Sequence, residues 1–433
     1  MGDVTETAGN TAGIVADNRE ERLRSLAACV SGSERTEKAG INLHVHTNES
    51  FSFFSSVSEA VLYAFRENVG YFGINDHYTI DGHDEFAAAC RIASITPTFS
   101  IEAVAMDEDA FLNERRYNDP NNPGKIYLVG KGVTKKLREG SEGHRLLGSM
   151  CTFIRKRNRK IAGCLKEYTA RKGIALDFSY DDADKLSPRG NTTERHVVQA
   201  FCMKMKEAFP TVGRRLDAFS RLLGTGIDES ALNDEELLLD TVRTRLVKKG
   251  MVCYVEEDGD AFITPERLIS LYREFGAVPT YPLMGNPVTE EEEDLEAMIR
   301  KTRAYGLYAL GILDYRTRVK RAGEIIEAAS HYGYPVFTGT EHNTKKRMPL
   351  IGPVAATASY YDYFLKSTHF VNGHQRMARI LDFGFLDNDG NPRFEQKEGF
   401  DFYAHAGAQE LTEEEEDDLR MQPGKKIRAY FGL

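Results

Sequence analysis

No run in this 433-residue chain stays apolar for anything near the roughly 20 residues that a helix needs to cross a bilayer, so no membrane span is expected. The opening MGDVTETAGNTAG holds neither a basic stretch nor an apolar one, which argues against export and makes the cytoplasm the expected compartment. Cysteine is sparse and scattered. The six residues Cys29, Cys90, Cys151, Cys164, Cys202 and Cys253 lie far apart and form no C-x-x-C pair, so neither a zinc knuckle nor a disulfide framework is suggested. Positive charge is also short. A formal net charge of −10 disfavours a general nucleic-acid binder, whose footprint is basic, while leaving room for a local basic site.

What is present is ample material for a core. With 41% hydrophobic and 28% charged residues the composition is that of a soluble globular protein, long enough for one large domain or two to three ordinary ones. Residues 1–40 are polar, with a helix-like stretch around 20–30, and read as an N-terminal arm. From residue 41 to 144 strand-like and helix-like runs alternate, as in INLHVHT, SVSEAVLYAFRENVG, YFGIND, TFSIEAVAM and KIYLVGKG, which predicts β/α units. Residues 145–250 read as a helical insertion. The rhythm returns over 251–347 in GAVPTYPL, YGLYALGIL and YGYPVFTGT, leaving 348–433 as an extension that packs on the barrel. The acidic runs at 289–293 and 412–416 each read as a threonine N-cap followed by acids in a first helical turn, where the helix dipole favours them. The basic run at 155–160 reads as the solvated face of a helix that turns Phe153, Ile161 and Leu165 inward.

Chemistry gathers first in HVH. In a strand, Ile41, Leu43 and Val45 share one face and Asn42, His44 and His46 the other, so two imidazoles are offered to one zinc, manganese or iron ion. Three further strand-like runs end in similar groups: YFGIND at Asp76 and His77, TFSIEAVAM at Glu102, and YPVFTGT at Glu341 and His342. Functional residues of β/α barrels sit at the carboxyl ends of strands, so the four groups are expected at one mouth.

The order HVHTNES, GINDHYTIDGHDEF, PTFSIEA and FTGTEHN resembles the four motifs of the PHP (polymerase and histidinol phosphatase) family. RNRKIAGCLKEYTARKGIAL followed by TERHVVQAF is similar to the helical region inserted in the branch that includes nucleoside-bisphosphate phosphatases and short-oligonucleotide exonucleases. The resemblance implies an α/β fold, a distorted (β/α)7 barrel with an inserted helical subdomain, that hydrolyses phosphoesters at a metal cluster. It implies that His44, His46 and Glu102 are ligands, that Glu102 can bridge two ions, and that Glu341 replaces a ligating aspartate. His77 becomes a further ligand or a proton donor, oriented by Asp76. Phe51, Tyr127, Tyr281 and Asn343 depart from the pattern, standing where the family places ligands. One divalent ion is therefore expected, with a second only if His342 or His196 rebuilds part of its site.

The expected reaction is attack by a metal-activated water, its pKa brought towards about 7, on a small phosphorylated metabolite, nucleotide or short oligonucleotide. Arg189 and Arg195, or Lys345, Lys346 and Arg347, are candidates to face the phosphate, and His77 to protonate the leaving group. Two alternatives stand beside this reading. One is a one-metal hydrolase of a C–N or C–O bond, with Tyr127 and Tyr281 as donors to the substrate; the other is a barrel kept as a binding module. The sequence leaves the substrate, the metal and the oligomeric state open.

Overall fold

The protein is described by a computed structural model covering residues 11–32, 39–256, 262–411 and 413–421. Seven strands build its centre: β1 (Gly40–Val45), β2 (Val69–His77), β3 (Thr96–Met106), β4 (Lys125–Lys131), β5 (Val278–Leu283), β6 (Ala309–Leu313) and β7 (Val336–Gly339). They lie side by side in chain order. The sheet curls until its first and last strands meet through the pair Val45 and Glu341, where His46 N donates to Glu341 O at 2.7 Å and Glu341 N donates to His44 O at 2.9 Å. Helices wrap the outside, so most strands are covered on both faces and read as continuous apolar runs. The result is the nearly closed, helix-wrapped α/β barrel that the sequence predicts.

One strand departs from the predicted rhythm. β4 runs antiparallel to both β3 and β5. Between β3 and β4 lies only the five-residue helix Glu108–Leu112, too short to carry the chain back to the far end of the sheet before pairing resumes. The beginning of β4, rather than its end, therefore reaches the mouth, and Tyr127 with it.

β1 is held unusually close to its neighbours. A Cβ on Gly339 would fall 2.3 Å from the His44 Cβ, and one on Gly73 would fall 2.5 Å from the Leu43 carbonyl oxygen. Glycine at both positions lets β2 and β7 close on the histidine-bearing strand.

The helices from Glu142 to Val247, between β4 and β5, have a core of their own that includes Ile161, Leu165, Phe201 and Phe219. Phe51, from the loop after β1, is buried in that core and ties the insertion to the barrel mouth. Of the basic run, Ile161 and Leu165 are buried as expected, whereas Phe153 and Arg157 turn towards a cavity. The N-terminal helix Arg19–Val30 packs against Val57–Arg66 and His83–Ile92, where Arg22 pairs with Glu85 at 2.5 Å. At the opposite end of the chain, the helix Ala358–Leu381 packs along Gln396–Ala408 and against the barrel. Thr289 stands at the N-cap of Glu290–Glu293, but its hydroxyl makes no cap bond. Thr412 lies outside the described residues. Among those described, no helix is long and apolar enough to cross a membrane.

Candidate metal centre

Strand alternation delivers the first donors. His44 and His46 leave β1 on its inner face and are buried, and the parallel register of β2 on β3 sets His77 opposite Glu102. The Glu102 carboxylate is the hub. Its Oε2 lies 3.0 Å from His44 Nε2 and 3.8 Å from His46 Nε2, and its Oε1 lies 3.8 Å from His77 Nδ1. Candidate ligand atoms of His44, His46 and Glu102 all fall within 4.8 Å of one another.

Burial sets the protonation of this group. It pushes His44 down to about 3, with Lys131 adding to the effect, and it pushes His46 well below the usual histidine range. His77 moves down for the same reason, while burial raises Glu102 against the opposing pull of His77 and Lys131. Neutral imidazoles are the form that binds metal. His46 Nε2 and His77 Nδ1 are both buried without a hydrogen-bond partner. Two imidazoles and a carboxylate around such unsatisfied atoms fit a divalent transition ion.

Asn75 belongs to the same group, and the sequence reading passed over it. Its Nδ2 donates to Glu102 Oε2 at 2.6 Å and lies 2.9 Å from His44 Nε2. The signal was available: Asn75 precedes His77 by two residues and shares its strand face.

Other candidates stand elsewhere. Asp76, expected to orient His77, points to the opposite side of β2. It accepts from Thr47 N and Thr47 Oγ1 at 2.7 Å and from Ser50 Oγ at 2.6 Å, and Ser50 Oγ lies 3.4 Å from His46 Nδ1. Asp76 thus fixes the turn after β1 and, through Ser50, the ring of His46. His342 is also turned away, its Nδ1 lying 2.8 Å from Thr340 Oγ1 and its Nε2 3.0 Å from the Met348 carbonyl. Glu341 sits at the chamber rim, paired with Arg316 at 3.2 Å and outside the tight three-residue group. Glu341 and His342 both have positive φ, 65° and 54°, a strained pair at the end of β7 that aims their side chains in different directions.

Tyr281, expected at the mouth, is buried on the outer side of the sheet, where its hydroxyl bonds Glu292 at 3.1 Å. Thr280 takes the register position beside Val129. A one-residue offset in a strand exchanges its faces, and here it exchanges a tyrosine for a threonine. His196 is engaged within the insertion, its Nδ1 3.0 Å from Thr193 N. Lys345 places its ammonium 4.9 Å from the centre of the Phe51 ring and donates its backbone N–H to Glu236, away from the chamber.

The Glu292 contact has a measurable consequence. Burial raises this carboxyl to about 7, so its contribution to stability is complete below about pH 4.5 and is lost as the pH rises through 7. Glu292→Gln, always neutral, is expected to gain about 3 kcal/mol on the wild type between pH 4 and pH 8, read by urea unfolding at the two ends.

Above the cluster opens a chamber of about 710 Å³, lined by seven lysines and arginines against four carboxylates. Arg195, Arg157 and Arg243 come from the insertion and Arg316 from the barrel. Glu194 holds two of these in place, with Arg157 Nη1 at 2.9 Å and Arg243 Nε at 2.8 Å. Burial alone would raise this carboxyl, but the two guanidiniums outweigh it and draw it down to about 2. Arg195 is pressed down to about 10 by burial and by Arg243. A second chamber of about 240 Å³ adjoins the first and shares His77, Tyr127, Arg157, Arg195 and Asn343 with it. Its wall is more apolar, formed by Phe51, Met150, Phe153, Ile154 and Phe262. Asn191 ties the insertion over the seam, donating to the carbonyls of His77 at 2.7 Å and Glu49 at 3.0 Å.

The barrel thus sets a histidine-carboxylate cluster that could hold a metal ion under a basic chamber. No family model and no curated protein matches the sequence. Among solved structures the chain is similar to a "putative metal-dependent phosphoesterase" from Bifidobacterium adolescentis, with 16% identity, a TM-score of 0.52, and coverage of 77% of this chain and 98% of that one. It is also similar to an amidohydrolase from Chromobacterium violaceum with bound sulfate and no metal, with 16% identity, a TM-score of 0.49, and coverage of 75% and 96%. At such identity the first likeness speaks for the barrel fold, and the chemistry is argued from the site itself.

Proposed function

We propose that this protein is a metal-dependent phosphoesterase acting on a small phosphorylated metabolite, nucleotide or short oligonucleotide. The observation that carries the reading is the charge of the chamber: in a chain of net charge −10, seven cationic side chains converge above His44, His46 and Glu102. A phosphate ester is the substrate class whose non-bridging oxygens match planar, pre-oriented guanidiniums.

A divalent ion held by His44, His46 and Glu102 would supply an activated water and polarise a phosphoryl oxygen. The chain's own residues do the rest. Arg157 and Arg243, fixed by Glu194, present their remaining N–H groups to the phosphate, and Arg195 closes the ring of donors. Asn75 and the Asp76–Ser50–His46 relay hold the ligands in register. His77 stands in the walls of both chambers, and a bound phosphate's negative charge would offset its burial and favour the protonated form that a donor to the leaving oxygen needs. The apolar chamber receives the leaving group's less polar part and keeps bulk water from it.

The test is hydrolysis of a panel of phosphate monoesters and diesters by protein purified without chelator, repeated after metal removal and reconstitution. Turnover that disappears with the ion and falls by about 10²-fold or more in Arg243→Ala is the expected result, the size of loss typical for a charge-stabilising group. A metal-loaded protein that hydrolyses carboxamides or lactones and no phosphate ester would overturn the phosphoesterase reading. Binding of phosphate esters without turnover would favour a binding module.

A further inference from the structure

Two of the cysteines meet. Cys164 lies on the long helix Glu142–Arg171 of the insertion, and Cys253 on the segment 248–256 that follows the helical turn Arg243–Val247. The Cys164 thiol donates to the carbonyl of Val252, the residue just before Cys253, at 3.4 Å and across 88 positions of the chain. The Cys253 thiol faces it, side chain to side chain, and burial together with that neighbour pushes Cys253 up. Cys151 and Cys202 have charged groups beside them instead. Cys253 is fully buried in the core of the insertion, whereas Cys164 is half-buried at its edge.

The segment around Cys253 also walls the chambers. Lys248, Lys249 and Tyr254 line the larger one, and Val255 and Glu256 the smaller. Arg157, about two turns before Cys164 on the same helix, donates its Nε–H to the Val255 carbonyl at 3.1 Å and lies 6.0 Å from the centre of the Tyr254 ring. This wall is therefore held on the helix at two places, by a guanidinium at one and by a weak S–H donor at the other. A covalent bond at the second place would change the hold most.

We propose that Cys164 and Cys253 form a redox-modification site, joined as a disulfide by hydrogen peroxide or an organic hydroperoxide, and that the bond pins residues 248–256 of the chamber wall to the helix. The Cys164 thiolate attacks a peroxide oxygen. The O–O bond breaks, the sulfur is oxidised to a sulfenic acid, and the hydroxide released takes up the proton that the thiol had lost, leaving as water. The Cys253 sulfur then bonds to that of Cys164, and the sulfenic hydroxyl departs with the Cys253 proton as a second water. One hydrogen peroxide is reduced to two waters for each pair of thiols joined, and a small thiol reverses the step by exchange. Burial keeps Cys253 protonated and out of reach of the oxidant, so the half-buried Cys164 reacts first.

Peptide mass mapping of the full chain, treated with hydrogen peroxide and then alkylated, tests the proposal. The expected result is a single chain lighter by two hydrogens, with two of its six thiols withdrawn from alkylation and the tryptic peptides of Cys164 and Cys253 joined, all restored by dithiothreitol. Trypsin reads the wall as well: cleavage after the exposed Lys248 and Lys249 in the native protein should slow by about tenfold on oxidation, because cutting follows the population of the opened segment. Cys164→Ser and Cys253→Ala should each abolish both the cross-link and the slowing. Thermal melts establish that the variants are folded, and the wild-type peptide map decides the bond even where one is not. Oxidation of Cys164 to a sulfinic acid, or of Cys29 or Cys151, with the pair left unjoined overturns the disulfide. A joined pair with unchanged cleavage overturns the pinning of the wall. No readout needs a substrate or a metal, so the phosphoesterase reading and this one fail separately.

Discussion

Glutamine in place of Glu102 is expected to lower metal affinity by about two to three orders of magnitude, since loss of an outer-shell partner alone costs 10–100-fold, and to abolish metal-dependent turnover. The change is nearly isosteric, and the metal-free protein should not suffer from it. Burial already disfavours the Glu102 carboxylate, so a neutral amide in its place removes a desolvation cost while Asn75 Nδ2 still finds an oxygen. The discriminating measurement is a pair of melts. In the wild type saturating metal should raise the melting temperature, because a ligand that binds only the folded state stabilises it by mass action. In Glu102→Gln the metal-free melt should match or exceed the wild type, and the added ion should do nothing. A full metal-induced shift in the variant would show that the ion binds elsewhere.

Loss of charge at Glu194 is expected to have the second-largest effect, on stability and on substrate binding together. Glu194→Gln leaves Arg157 and Arg243 facing each other with no anion between them. Breaking a fully buried ion pair from one side typically costs about 3 kcal/mol or more, and this fork is partly buried, so a loss of about 2 kcal/mol is expected as the remaining charges lose their compensation. An exposed pair such as Arg116 with Glu290 offers the contrast: its removal should cost less than about 1 kcal/mol. Urea unfolding measures both. The same Glu194 variant should raise KM for a phosphoester by about tenfold while changing kcat less, since freed arginines pay an ordering cost to bind phosphate that the fork otherwise removes in advance. Equal stability in Glu194→Gln and wild type would show that the fork is not a structural anchor.

The barrel and its candidate metal cluster were legible in different degrees. His44 and His46 could be read because strand alternation is local and HVH states it directly. Glu102 and His77 could be placed near them because each ends a strand-like run. The direction of β4 could not be read, since strand direction follows from the connection rather than from the strand, and a run such as KIYLVGKG is equally apolar either way round. Tyr281 was misplaced by a single residue of register, which no propensity resolves. His342 was misplaced because consecutive left-handed residues at 341 and 342 break the alternation on which the reading depended. The arginine fork was invisible for another reason: Arg157, Glu194 and Arg243 are separated by 37 and 49 residues and meet only through the packing of the insertion. Sequence patterns report local periodicity, and the basic half of this chamber is assembled from distant segments.

The barrel's closing seam gives the cradle a second mechanical meaning. β1 and β7 are stitched by two backbone hydrogen bonds at Val45 and Glu341, whereas β3 and β4 share seven consecutive residue pairs. The lightest join in the hoop therefore runs past His44 and His46, with Glu102 reaching it from two strands away. An ion seated among those three would act as a rivet across the hoop, drawing β1 towards β3 from the inside. Recognition of the metal and completion of the cylinder would then be one event, at a seam that is closely packed but joined by few hydrogen bonds.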